Sequence, residues 1–162
     1  MTDPLLRLHT ETVRPEWIDY NGHMNVAYYV LAFDHATDRL LDHAGLGIAY
    51  VRETNRSVFV LEMHVTYERE VGEGDPLAFT TRILDIDAKR VHLIHAMHHA
   101  GEGWLAATNE LVLMHIDLEA RRSCPLPESA LKTLTEIHHF QAALPMPPQT
   151  GRVIGLKRRS SA

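Results

Sequence analysis

One long amphipathic stretch is followed by four strand-like runs with too little chain between them for crossover helices. Val26, Tyr29, Val30, Phe33, Thr37, Leu40, Leu41 and Ala44 recur at three- and four-residue steps. That spacing makes one face of a helix apolar over about five turns, and Gly45 supplies its stop. Four runs rich in β-branched and alternating residues come next: Ser57 to Arg69, Leu77 to Asp85, Arg90 to His99 and Trp104 to Asp117. Gly72-Glu73-Gly74-Asp75-Pro76, Asp87-Ala88-Lys89 and Gly101-Glu102-Gly103 separate them, and each reads as a hairpin connection. Parallel strands would need crossovers of a dozen residues or more. The pattern therefore predicts an α+β chain, with a curved antiparallel β-sheet wrapped around one long central helix. Leu6 to Val13 adds a short first strand ended by Pro15, and Glu128 to Ala143 a shorter terminal helix. Residues 1–144 read as a single domain, and 145–162 as a basic tail opened by Pro145, Pro147 and Pro148.

A chain of 162 residues can bury a real core as one domain. Its net charge of −5 gives no reason to expect a nucleic-acid partner. The basic residues Arg152, Lys157, Arg158 and Arg159 crowd the last eleven positions, which reads either as a tail that meets an anionic group such as a phosphate or as a plain disordered end. No run is long enough to span a membrane. The single cysteine, Cys124, and the lack of a charged-then-apolar leader fit a reducing cytoplasm.

The chemistry-bearing segment is Asp19-Tyr20-Asn21-Gly22-His23-Met24-Asn25, directly before the long helix. A helix start exposes unpaired N–H groups and a partial positive charge, which suit a carbonyl oxygen that becomes anionic. Asp19 lies a few residues away as an attacking carboxylate or a base. A purely structural alternative has Asn25 as the helix cap, Gly22 turning the loop and Asp19 solvated.

The order Asp-x-x-Gly, His-Met-Asn, Tyr between a first strand and a long helix resembles the hotdog-fold acyl-CoA thioesterases of the 4-hydroxybenzoyl-CoA thioesterase class. The stretches Val13 to Asp19, Lys89 to His95, Leu113 to Asp117 and Arg121 to Pro125 are similar to thioesterase domains linked to bacterial carnitine and betaine catabolism. This resemblance implies a hotdog fold and at least a homodimer, or a dimer of dimers, with active sites at the subunit interface. It further implies hydrolysis of a small acyl-CoA thioester such as betainyl-CoA, with coenzyme A part of the substrate and no other cofactor.

Asp19 is then nucleophile or general base, with His23 and Asn25 as catalytic neighbours. The backbone N–H groups of Met24, Val26 and Ala27 are the candidate oxyanion donors. Tyr20, Asn21, Gly22 and Tyr28 are candidate substrate contacts. Glu62 and His64, two apart in a strand, share a face and are candidates to reach substrate across a dimer. Lys89, Arg90, Arg121 and Arg122 are candidate contacts for the phosphates of coenzyme A. A trimethylammonium head would be held by aromatic faces, for which Trp17, Tyr20, Tyr28, Tyr29, Phe33 and Trp104 are candidates, with Tyr29 and Phe33 also reading as residues of the helix's apolar face that simply pack.

Twelve histidines raise the question of a metal. On a strand, His92 and His98 point one way and His95 and His99 the other, so that set forms no single site and no metal is expected from it. Two other readings of the loop remain. In a hotdog enoyl-CoA hydratase an Asp and a His activate one water, but its Asp-x-Asn-Pro-x-His order is broken here by Gly22-His23. A non-catalytic acyl-CoA-binding protein would use the same pocket without needing Asp19.

Overall fold

A computed structural model describes residues 4–156. The basic tail positions Lys157, Arg158 and Arg159 lie outside the described residues. The strands are β1 (Leu6–Thr12), β2 (Arg56–Tyr67), β3 (Pro76–Ile86), β4 (Arg90–His99), β5 (Leu105–Asp117) and β6 (Arg122–Ser123). The α-helices are α1 (Val26–His43), α2 (Ile48–Thr54) and α3 (Glu128–Gln141). All strand pairs are antiparallel, in the order β1-β3-β4-β5-β2, with β6 extending the ladder from β5. The sheet curls around α1 as the helical and strand periodicities predict.

On α1, Ala32 and Phe33 are fully buried, and Tyr29, Ala36, Thr37 and Leu40 nearly so. The alanines let the sheet close onto the helix, while Phe33 and Leu40 each contribute roughly 1.5–3 kcal/mol by burial. The N-terminal half of α1 packs with Leu77, Phe79, Met97, Ala106 and Ala107. Its C-terminal half packs with Ile83, Val91, Leu93, Leu111 and Leu113. Between the two clusters His95 is fully buried, its ring nitrogens 3.0 Å from Thr37 Oγ1 and 2.8 Å from Thr81 Oγ1. Burial pushes its pKa down to about 3, with the nearby His9 adding to the effect, so this imidazole is neutral and structural.

One feature departs from the sequence reading and two others lie outside it. The turns between β3 and β4 and between β4 and β5 are hairpins, but β2 and β3 do not pair. Residues 68–75 instead cross from the edge strand β2 to β3, the strand next to the opposite edge. Eight residues reach at most about 26 Å when extended, so this link is possible because curling brings β2 and β3 close together. The link passes beneath the start of α1, where Val71 O accepts Met24 N–H at 2.9 Å and Asp75 O accepts Val13 N–H at 3.0 Å. Helix α2 also escapes the pattern: its seven residues include the β-branched Ile48, Val51 and Thr54, and none is buried. Finally, the chain after α3 runs over the outer sheet face. Arg82 donates to the carbonyls of Leu144 and Pro145, and Gly151 N–H donates to Glu110 Oε2 at 2.7 Å.

Candidate active site

The Asp19 loop is built by backbone hydrogen bonds that bring its two ends together. Ile18 and Met24 form a lone antiparallel bridge, Asp19 N–H donates to His23 O at 3.1 Å, and Asn25 N–H donates to Trp17 O at 2.9 Å. Gly22 closes the turn with φ +81°, a left-handed conformation that favours glycine. Trp17 anchors the loop from below, with 2 % exposure and Tyr28 stacked on it at 5.6 Å.

The carboxylate of Asp19 is half-buried and held by two donors. Asn21 N–H reaches Oδ1 at 2.8 Å, and Asn25 Nδ2 reaches Oδ2 at 3.2 Å. Asn25 also caps α1, its Oδ1 accepting Ala27 N–H at 3.0 Å. The capping and catalytic readings of Asn25 are thus met by opposite atoms of one amide.

Of the three candidate oxyanion amides, two already have acceptors. Met24 N–H is taken by Val71 O and Ala27 N–H by Asn25 Oδ1. Tyr28 N–H is likewise taken by Asn25 O. Among the described residues Val26 N–H, the first of the helix, has no protein acceptor. Tyr67 Oη donates to the Val26 carbonyl at 3.4 Å and meets Tyr29 edge-on at 5.1 Å, so the end of β2 steadies the residue that offers this amide. Burial pushes both of those phenols up. Neither Tyr67 nor Val71 carried a sequence signal, because one acts through a distant carbonyl and the other through its backbone.

The remaining candidates separate. His23 is exposed, with Nε2 3.7 Å from Glu70 Oε1, and it meets Asp19 through backbone only. No Asp–His pair of the hydratase kind forms here. Tyr20 is 97 % exposed beside Asp19. Trp17, Tyr29 and Phe33 are core residues, and Trp104 stacks on His99 beneath the Arg69 guanidinium. Tyr20 and Tyr28 are therefore the aromatic candidates left near the loop.

Glu62 and His64 stand opposite Val112 and Glu110, on the sheet face away from α1. There they line a 380 Å³ depression with His92, Glu110 and Arg152, separated by the sheet from their own subunit's Asp19. Lys89, Arg90, Arg121 and Arg122 gather at the other end of the sheet: His115 N–H donates to Lys89 O, Arg90 stands opposite Met114, and Arg122 opposite Asp117. That end packs against the C-terminal half of α1, roughly 27 Å along the 18-residue helix from Asp19. His92, His95, His98 and His99 are split between the two sheet faces as expected.

A curled antiparallel sheet wrapped around one long helix defines a hotdog protein. The Thioesterase-like superfamily model matches residues 13–134, and the chain belongs to that family. It is 39 % identical to a betainyl-CoA thioesterase of Pseudomonas aeruginosa, over 94 % of this chain and 96 % of that protein. It is 36 % identical to the L-carnitine dehydrogenase/betainyl-CoA thioesterase of Rhizobium meliloti, over 94 % of this chain but 31 % of that longer protein. A Staphylococcus aureus protein solved in complex with CoA superposes with a TM-score of 0.88 at 34 % identity, covering 94 % of this chain and 97 % of the other. Among the described residues no helix is long and apolar enough to cross a membrane.

Proposed function

We propose that this protein hydrolyses a small acyl-CoA thioester, betainyl-CoA or a close analogue, at a site formed by Asp19 and the start of α1. The observation that carries the reading is the pairing of a carboxylate fixed by two donors with one uncommitted helix-start amide, that of Val26. As the thioester carbonyl is attacked, charge builds on its oxygen, and the Val26 N–H with the positive end of α1 stabilises it. Asp19 either attacks the carbonyl carbon, giving a mixed anhydride that water opens, or takes a proton from the attacking water. Both routes expel the coenzyme A thiolate. The relatives' names support the betainyl group, and Tyr20 and Tyr28 are the aromatic faces available for its cationic head.

The active form of this reading is a dimer joined through β2. That strand is an edge, pairing with β5 on one side only, and Phe59, Val60, Leu61, Met63 and Tyr67 along it are 38–52 % exposed. An exposed apolar edge is stabilised by pairing with a second copy. Antiparallel pairing would set the Arg56 end of one β2 beside the Tyr67 end of the other. Each subunit's Lys89, Arg90, Arg121 and Arg122 would then turn toward its partner's Asp19 loop, where the phosphates of coenzyme A need them. The single cysteine fits catalysis in the reducing cytoplasm.

The test is a panel of betainyl-, short aliphatic and aromatic acyl-CoA thioesters, followed by free-thiol release. Hydrolysis is expected, fastest for the betainyl thioester. Asp19→Asn is expected to lower turnover by about 10²–10⁴-fold with CoA binding retained. Undiminished turnover in that variant removes Asp19 from the reaction.

A further inference from the structure

A sizeable cavity of the protein lies away from the Asp19 loop. It holds about 660 Å³ and lies between the open side of α1 and the β1 and β2 edges. On one of its walls His9, Glu11 and His35 converge, with one ligand atom from each lying within 4.8 Å of the others. His9 and Glu11 are two apart on β1 and face α1, while His35 comes from the third turn of that helix. The distances are 3.0 Å from His9 Nε2 to Glu11 Oε1, and 3.1 and 3.3 Å from His35 Nδ1 to the two Glu11 oxygens.

We propose that His9, Glu11 and His35 bind one Zn(II)-class divalent cation per subunit, clamping the edge strand β1 to the central helix. Two imidazoles and one carboxylate form a donor set suited to Zn(II), which holds nitrogen and oxygen at about 2.0–2.2 Å and so spaces tetrahedral neighbours roughly 3.3 Å apart. The separations of Glu11 from the two imidazoles, 3.0 to 3.3 Å, match such an edge, and the His9 and His35 nitrogens lie within 4.8 Å of each other. The ligands are also pre-positioned. β1 is registered on β3 with His9 opposite Phe79 and Glu11 opposite Leu77, and the His9 ring packs on Phe79 at 5.0 Å. The Glu11 and His9 side chains are 11 % exposed, and the partners of the Glu11 carboxylate are the two imidazoles, so a cation would neutralise a charge largely removed from water. The fourth position opens on the cavity, which Asp38 and Asp42 also line, leaving room for a water ligand. No step of the thioester chemistry passes through this site.

The test uses the whole protein stripped of metal by chelation. Zn(II) titration by calorimetry is expected to show one ion per subunit, Co(II) to develop the visible bands of a low-coordinate site, and the unfolding temperature to rise with free metal. Glu11→Gln and His35→Gln are each expected to weaken binding at least tenfold, the loss seen for a merely supporting partner. His35 is partly exposed on the helix surface, so its variant keeps the test open if Glu11→Gln fails to fold. His92→Gln, on the opposite sheet face, serves as control and should bind as the parent does. Absence of stoichiometric binding would show that the three residues form only a hydrogen-bonded network and overturn the proposal. Undiminished binding in the His35 variant would do the same.

Discussion

Asn25 holds the start of α1 with one side-chain atom and Asp19 with the other: Oδ1 caps Ala27 N–H at 3.0 Å, and Nδ2 donates to Asp19 Oδ2 at 3.2 Å. Helix entry and carboxylate orientation are therefore mechanically linked. Two substitutions separate the roles. Asn25→Ala removes both and should cost about 1 kcal/mol of stability along with most of the turnover. Asn25→Asp keeps a capping oxygen but faces Asp19 with a second carboxylate, so one of the two acids should titrate higher. The expected result is a near-parental melting temperature with the acid limb of kcat/KM moved up in pH. A pH profile superposable on the parent's would show that Asn25 does not orient Asp19.

The Val26 amide can be deleted without touching a side chain that matters to the core. Val26 is the first helical residue and is 58 % exposed, and Asn25 before it has φ −63° and ψ 144°. Proline is well tolerated at a first helical position and requires an extended residue ahead of it. Val26→Pro should therefore fold with little change in circular dichroism or melting temperature. Turnover should fall by about 10²–10³-fold, the loss typical of one oxyanion donor. Retained turnover would exclude this N–H as the stabilising group.

The dimer reading is tested at the β2 edge. Register shifts between Val60 and Glu62, leaving Leu61 at a bulge with 52 % exposure, and Phe59 beside it is 43 % exposed. Lysines at both positions should repel a second copy while remaining solvated in the monomer. The double variant Phe59→Lys, Leu61→Lys is expected to sediment as a monomer, to keep its secondary structure and to lose activity. An active monomer would show that the partner contributes nothing to the site.

His95 makes the fold sensitive to acid. Its folded pKa is lowered from 6.5 to about 3, so between those values the unfolded chain binds a proton that the folded chain excludes. Stability contributed by the neutral ring is present above the unfolded pKa and is lost as pH falls, by up to about 1.4 kcal/mol per pH unit. His95→Gln should lower stability at pH 7 while flattening its decline between roughly pH 6 and pH 4 in chemical denaturation. An unchanged slope would place the acid sensitivity elsewhere.

Local patterning made much of this molecule legible. The three- and four-residue spacing from Tyr29 to Leu40 marked α1 because those residues must meet the same sheet, whereas Val26, which shares the spacing, is 58 % exposed, and the alternation in β3, β4 and β5 marked strands with one face on that helix. Asp19, Gly22 and Asn25 were legible for a similar reason: a turn, a cap and an acid within seven residues act through contacts close along the chain. Helix α2 was not, being short, surface-lying and rich in residues that also suit strands.

Contacts between residues far apart in sequence depend on how the sheet closes. Curling sends residues 68–75 across the helix start rather than into a hairpin, so that the Val71 carbonyl occupies the Met24 amide and leaves that of Val26 free. It likewise brings His35 to Glu11 across 24 positions and sets Glu62 and His64 on the face away from Asp19. Periodicity along the chain states which side of an element is apolar. It carries no information on which donors are already satisfied once the elements pack, and that accounting governs the chemistry of the loop.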